Sequence, residues 1–107
     1  MVKELTPSEF MQRRTAGEDM NLLDVREDWE VNLAPAPTKF VHIPMGQITM
    51  RVGELDASKE TVVICRSGGR SAQVAHFLEQ HGFKNVANLS GGILAWSREL
   101  DPRIPTY

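Results

Sequence analysis

Thr61-Val62-Val63-Ile64-Cys65-Arg66-Ser67-Gly68-Gly69-Arg70-Ser71 runs from a β-branched apolar stretch, through the chain's only cysteine and two glycines, into a helix-periodic segment from Ser71 to His81. The order is strand, loop, helix. A helix start leaves unpaired N–H groups and the positive end of a dipole aimed at whatever the preceding loop holds. A cysteine sulfur held there is favoured as the thiolate, the form that acts as a nucleophile. The glycine pair permits a tight, partly left-handed backbone whose successive amides turn inward as an anion-binding nest. Arg66 and Arg70 add positive charge, and Arg70 offers a forked donor suited to oxyanions. A lone cysteine at a strand end is on its own usually a small buried hydrophobe; strand, glycines, arginines and helix start in one register point instead to a cradle for an anionic sulfur.

The alternation of short apolar runs with helical patterns around this stretch predicts an α/β fold with a parallel sheet covered on both faces. Thr6, Pro7 and Glu9 form a capping box with proline at the first helical position, predicting a helix that ends at Gly17. Asn21 to Val25 reads as a strand buried on both faces. Phe40 to Ile43 and Val86 to Leu89 read as further strands, Gly46 to Leu55 as an irregular helix, and the segment after Ser90-Gly91-Gly92 as a final helix with Ile93, Trp96 and Leu100 on its apolar stripe. Met45 and Met50 are expected to fill core gaps, Trp96 to be core, and the tail with Pro102 and Pro105 to lie extended.

In a parallel sheet the strand ending near Asp24 and the strand ending near Cys65 finish on the same rim, where ligands of such sheets bind. Asp24 and Arg26 are therefore candidate supports of the site, with a salt bridge tying loops together as the competing reading. His42 inside a short strand suits a structural imidazole, and Arg51 a solvated charge or part of a positive rim. His76 and His81 lie five apart with no cysteine near, which disfavours a metal site.

In its Cys-x4-Arg spacing and in the sequence CRSGGRS itself, the loop resembles the active-site loop of the rhodanese family of sulfurtransferases. Cysteine-dependent phosphatases resemble one another in a loop one residue longer, wide enough for a phosphoryl group. LLDVRE from Leu22, VHIPMGQI from Val41, NLSGGILAW from Asn88 and the tail DPRIPTY from Asp101 also look like that family's blocks, in its order. The resemblance implies a three-layer α/β/α fold with a five-stranded parallel sheet, and a single domain over residues 1–107. It departs from the family at Ala34-Pro35-Ala36-Pro37-Thr38-Lys39, where members usually carry a Gly-His-Ile stretch; the alternating prolines favour a rigid extended connection and a different pocket rim.

The activity so implied is sulfur transfer from a donor such as thiosulfate to a thiol or to cyanide, through a persulfide on Cys65. Residues Arg66, Ser67, Gly68, Gly69, Arg70 and Ser71 would hold the substrate, with Arg66 toward solvent. No cofactor or metal is implied. With one cysteine, the persulfide must be discharged by an external nucleophile, in ping-pong order. The same residues admit a sulfur carrier with a dedicated protein partner, a phosphatase or arsenate reductase, or a non-catalytic module. Composition is that of one ordinary globular domain of 107 residues, 41% hydrophobic and 24% charged, with a formal net charge of −2, which suggests no nucleic-acid partner. No apolar run approaches the roughly 20 residues of a membrane span. With no secretory signal at the start and a lone cysteine, a cytoplasmic location is expected.

Overall fold

The computed structural model describes residues 1–107. Five parallel strands form one sheet: β1 (Lys3–Leu5), β2 (Met20–Asp24), β3 (Val41–His42), β4 (Glu60–Ile64) and β5 (Val86–Leu89), in the spatial order β1-β5-β4-β2-β3. The helices are α1 (Pro7–Thr15), α2 (Asp28–Leu33), α3 (Ile48–Arg51), α4 (Gly69–Gln80) and α5 (Gly92–Glu99), with 3₁₀ turns at Met45–Gln47 and Val52–Glu54 on either side of α3. This is the α/β arrangement that strand–helix alternation predicts.

The strands at the middle of the sheet carry adjacent apolar residues, Leu22-Leu23 in β2 and Val62-Val63-Ile64 in β4, because both of their faces are covered. Successive side chains of a strand point to opposite faces, and so Leu22, Val62 and Ile64 join Phe10, Ile93 and Trp96 in one core cluster beneath α1 and α5. Leu23 and Val63 join Ile48, Val74, Ala75 and Leu78 in a second cluster beneath α3 and α4. The β2–β4 register sets Leu23 opposite Val63 and Asp24 opposite Ile64. Both strands therefore end at one rim. The capping box opens α1 as read: Glu9 N–H donates to Thr6 Oγ1 at 3.1 Å and Thr6 N–H to Glu9 Oε1 at 2.8 Å.

Residues 34–39 form no regular element, and the alternation of proline with alanine explains their course. Ala34 and Ala36 point into the cluster of Phe10 and Trp96, while Pro35 and Pro37 face out. Three expectations fail. Met50 fills no gap: it lies 80% exposed, because the Gly46–Leu55 stretch buries Ile48 and Leu55 and turns Met50 outward. Leu100 is 40% exposed, past the last turn of α5, rather than on its buried stripe. The tail does not run extended; it turns at Asp101, with Ile104 N–H bonded to the Asp101 carbonyl at 3.1 Å and the Ile104 side chain buried. That turn carries Tyr107 to the rim above β4. No helix is long and apolar enough to cross a membrane.

Candidate active site

Cys65 is the first residue beyond β4, at the centre of the rim, and its side chain is buried. Three residues later the backbone reverses at Gly68, whose φ of 110° no L side chain adopts without strain. α4 begins immediately, at Gly69, two residues before the position that side-chain periodicity marks. Gly69 itself has an ordinary φ and open space around it, so only Gly68 is required as glycine by the turn.

The turn folds the amides back onto the sulfur. Gly68 N–H donates to Cys65 Sγ at 3.1 Å, and the Ser71 hydroxyl lies 3.3 Å from it. Burial pushes the Cys65 thiol up, but the Ser71 hydroxyl and the amides of Ser71, Gly68 and Ser67 more than reverse this, holding it below the ordinary thiol value. The loop is also gripped from behind. Ile93 N–H and Leu94 N–H, in the first turn of α5, donate to the carbonyls of Cys65 at 2.9 Å and Arg66 at 3.1 Å. A peptide unit's N–H points opposite to its C=O, so fixing these two carbonyls toward α5 fixes the Arg66 and Ser67 amides on the other side. Gly92 makes the approach possible: at φ 61°, any Cβ there would collide with the Cys65 and Arg66 carbonyls.

The arginines are spoken for. Arg70 places its two terminal nitrogens on the Glu30 carboxylate at 2.7 and 2.8 Å, a bidentate pair. Glu30 is 3% exposed. The Arg70 fork, helped by the Glu27 amide and the Tyr107 hydroxyl, overrides burial and holds the Glu30 carboxyl down at about 2. Arg66, expected to point to solvent, instead donates through Nε to the main-chain oxygen of Tyr107 and lies with its guanidinium 5.3 Å from that ring's centre. The tail turn, invisible to a reading that extends it, brings this partner in. The Tyr107 hydroxyl donates to Glu30 at 2.8 Å and accepts from Arg26 at 2.9 Å, and its ring meets the exposed Trp29 edge-on. Ser67 is exposed at the mouth.

Asp24 and Arg26 sit behind this rim, both fully buried, as a pair with Arg26 Nη2 2.8 Å from Asp24 Oδ2. Their remaining side-chain bonds run to the Glu30 and Ala34 carbonyls and to Tyr107, none to Cys65. They anchor the segment after α2 and the tail. His42 donates to the Arg26 carbonyl at 2.7 Å, the structural imidazole expected of it. Arg51 bonds Glu54 and Gln47 on the surface.

Four participants have no role assigned by motif: Glu30 lies outside the quoted blocks, and Asn88, Gly92 and Tyr107 lie within them with nothing local to mark what they do. Glu30 looks like a helix-start carboxylate three residues after Glu27, and it does accept the Glu27 N–H at 3.0 Å. Its partner Arg70 is 40 positions away, beyond any local pattern.

The chain matches the rhodanese-like domain family over residues 6–99. It is 43% identical over 102 residues to a putative sulfurtransferase, YtwF, of Bacillus subtilis, covering 95% of this chain and 97% of that one. A putative sulfur carrier protein of the same organism, YrkF, is 38% identical over 90% of this chain, which spans 51% of that protein. Among solved structures, a rhodanese-related protein from Thermoplasma volcanium superposes with a TM-score of 0.82 at 28% identity, covering 92% of this chain and 93% of that one.

Proposed function

The chain belongs to the rhodanese-like domain family, and on that premise we propose that it is a sulfurtransferase working through a persulfide on Cys65. The Cys65 thiolate attacks the outer sulfur of a sulfane-sulfur donor; with thiosulfate, the S–S bond breaks and sulfite leaves with its electron pair. The new Cys65–S–S⁻ is then attacked at its outer sulfur by a thiophilic acceptor, cyanide or a thiol. Cys65 departs as the thiolate, ready for the next donor. The cycle needs no cofactor or metal, since sulfur alone carries the group.

The observation that carries this reading is the sulfur's environment: a buried Cys65 with the Gly68 amide 3.1 Å away, in a loop only four residues long between Cys65 and Arg70. Amides from Arg66 to Ser71 stabilise negative charge on a single added sulfur without a formal counter-charge. Arg70 braces the loop. Lifting its fork onto a donor oxyanion would strand the buried Glu30 carboxylate, at a cost of about 3–5 kcal/mol for an unpaired buried charge. The tight loop speaks against phosphatase or arsenate chemistry.

A second reading, a persulfide carrier serving a protein thiol, draws support from the likeness to a putative sulfur carrier protein. In either case residues 1–107 act as one domain, and the single thiol fits the cytoplasm. The deciding experiment is the intact mass before and after incubation with thiosulfate, followed by a cyanide chase. A gain of about 32 Da, one sulfur on the persulfide ladder, absent in Cys65→Ser and removed by cyanide, supports thiosulfate:cyanide turnover. A gain only with a persulfide donor favours the carrier, and no gain with any donor overturns both.

A further inference from the structure

Ser71 and Asn88 are buried side by side between the reactive loop and β5, 0% and 5% exposed. Ser71 Oγ lies 3.3 Å from Cys65 Sγ and 2.6 Å from Asn88 Oδ1. A hydroxyl has one proton to donate, so it cannot serve both acceptors at once. The orientation of the amide decides which is served. Its Nδ2 faces the Gly68 carbonyl at 3.3 Å and the Glu4 carboxylate at 3.2 and 3.3 Å, all of them acceptors, which leaves Oδ1 for Ser71. Glu4 is held in turn by the Ser90 hydroxyl at 2.8 Å. A continuous line of polar groups therefore runs from the surface carboxylate of Glu4 on β1, through Asn88 and Ser71, to the sulfur.

We propose that Asn88 is a positioning residue that competes with the Cys65 sulfur for the single hydroxyl proton of Ser71. With the proton on Asn88 Oδ1, Ser71 presents a lone pair to the sulfur and suits a protonated thiol. With the proton swung toward Cys65, it stabilises the anion. The amides of Ser67, Gly68 and Ser71 hold the anion whatever Ser71 does; the hydroxyl is the adjustable part. The functional meaning rests on Cys65 being the sulfur-accepting nucleophile, but the competition itself does not.

The other charged groups around Cys65 are Arg66 and Arg70 of the loop and α4, Glu30 of α2, the Asp24–Arg26 pair at the end of β2, Glu4 of β1 and Tyr107 of the tail. Asn88→Val keeps strand propensity and leaves every one of these pairs intact; it removes one donor from Glu4, which retains Ser90, and one from the Gly68 carbonyl, which still accepts the Ala72 N–H at 3.2 Å. Because the chain has one cysteine, the rate of alkylation by iodoacetamide across pH reads Cys65 alone. The midpoint in Asn88→Val is expected about one pH unit below that of the unsubstituted protein, the size of one hydrogen bond gained by a charged sulfur. In a Ser71→Ala background, Asn88→Val should leave the midpoint where Ser71→Ala alone puts it. A midpoint that stays or rises in Asn88→Val, or falls equally in both backgrounds, overturns the proposal. Asn88→Ala gives the same readout if the valine variant does not fold. Alkylation uses no sulfur donor, so a midpoint that moves as expected while no donor yields a persulfide would sink the transfer reading and leave this one standing.

Discussion

At Cys65 and Glu30, burial and hydrogen bonding pull in opposite directions, and in both places hydrogen bonding prevails. Cys65→Ser is nearly isosteric, so it should abolish the mass gain from a sulfur donor while changing unfolding stability by no more than about 1 kcal/mol, read by urea titration beside the persulfide assay. Glu30 gives a prediction in pH. Its carboxyl sits at about 2 in the fold, below the ordinary value near 4.3 of an unfolded chain. Between those values the unfolded state binds more protons. The stability that Glu30 contributes is therefore complete above about pH 4.3 and is lost as pH falls toward 2. Glu30→Gln should cost roughly 1–3 kcal/mol at pH 7, since Arg70 is partly exposed and regains water. It should also flatten the acid limb of a stability–pH curve over that interval.

Among the elements, α5 matters to the site through its first turn, whose amides hold the carbonyls of Cys65 and Arg66. Gly92→Ala puts a Cβ into those carbonyls at a left-handed φ. The expected loss is about 2–4 kcal/mol with a fall in transfer rate. Gly53→Ala meets nothing within 4 Å and has no positive φ, so it should be neutral within about 1 kcal/mol and leave transfer alone. Thermal melts and single-turnover sulfur transfer on the two variants separate them; equal behaviour would mean that α5 does not hold the loop. Elements announced by contiguous residues were legible in sequence. The capping box of α1, the both-face burial of β2, the β-branched run of β4 and the glycine turn at Gly68 each have their cause within four or five positions. The early start of α4 and the exposure of Met50 and Leu100 were not: the first depends on where the backbone leaves the Gly68 turn, the second on which side of its helical stretch meets the sheet, and the third on where α5 ends.

For the molecule as a whole, the same division separates what the sequence tells from what it withholds. Cys65, its loop and the parallel sheet follow from local pattern and from likeness to a family. The bracing of the loop does not, because its partners lie far along the chain: Arg70 to Glu30, Arg26 to Tyr107, Ser71 to Asn88. Only the folded sheet, with its strand ends on one rim, brings them together. Tyr107 tests this long-range closure. Tyr107→Phe removes a hydroxyl that both gives to Glu30 and accepts from buried Arg26, and should lower the unfolding free energy by roughly 1–2 kcal/mol, measured by denaturant titration; an unaltered midpoint would show that the tail does not fasten the rim.

The filled fork of Arg70 has a consequence for encounter in solution. A guanidinium matched by a carboxylate, beside a second matched pair at Asp24 and Arg26, projects little field beyond the rim, and the loop's other cation, Arg66, is held by the main-chain oxygen of Tyr107. An anionic donor then arrives by ordinary diffusion more than by attraction. Its second-order rate constant with Cys65 should change less than about threefold as ionic strength rises from roughly 0.01 to 1 M, a range over which the Debye length shrinks from about 30 to 3 Å. A strongly guided site would lose far more, so the salt dependence of a single rate constant reports whether Glu30 keeps its hold on Arg70 in the working protein.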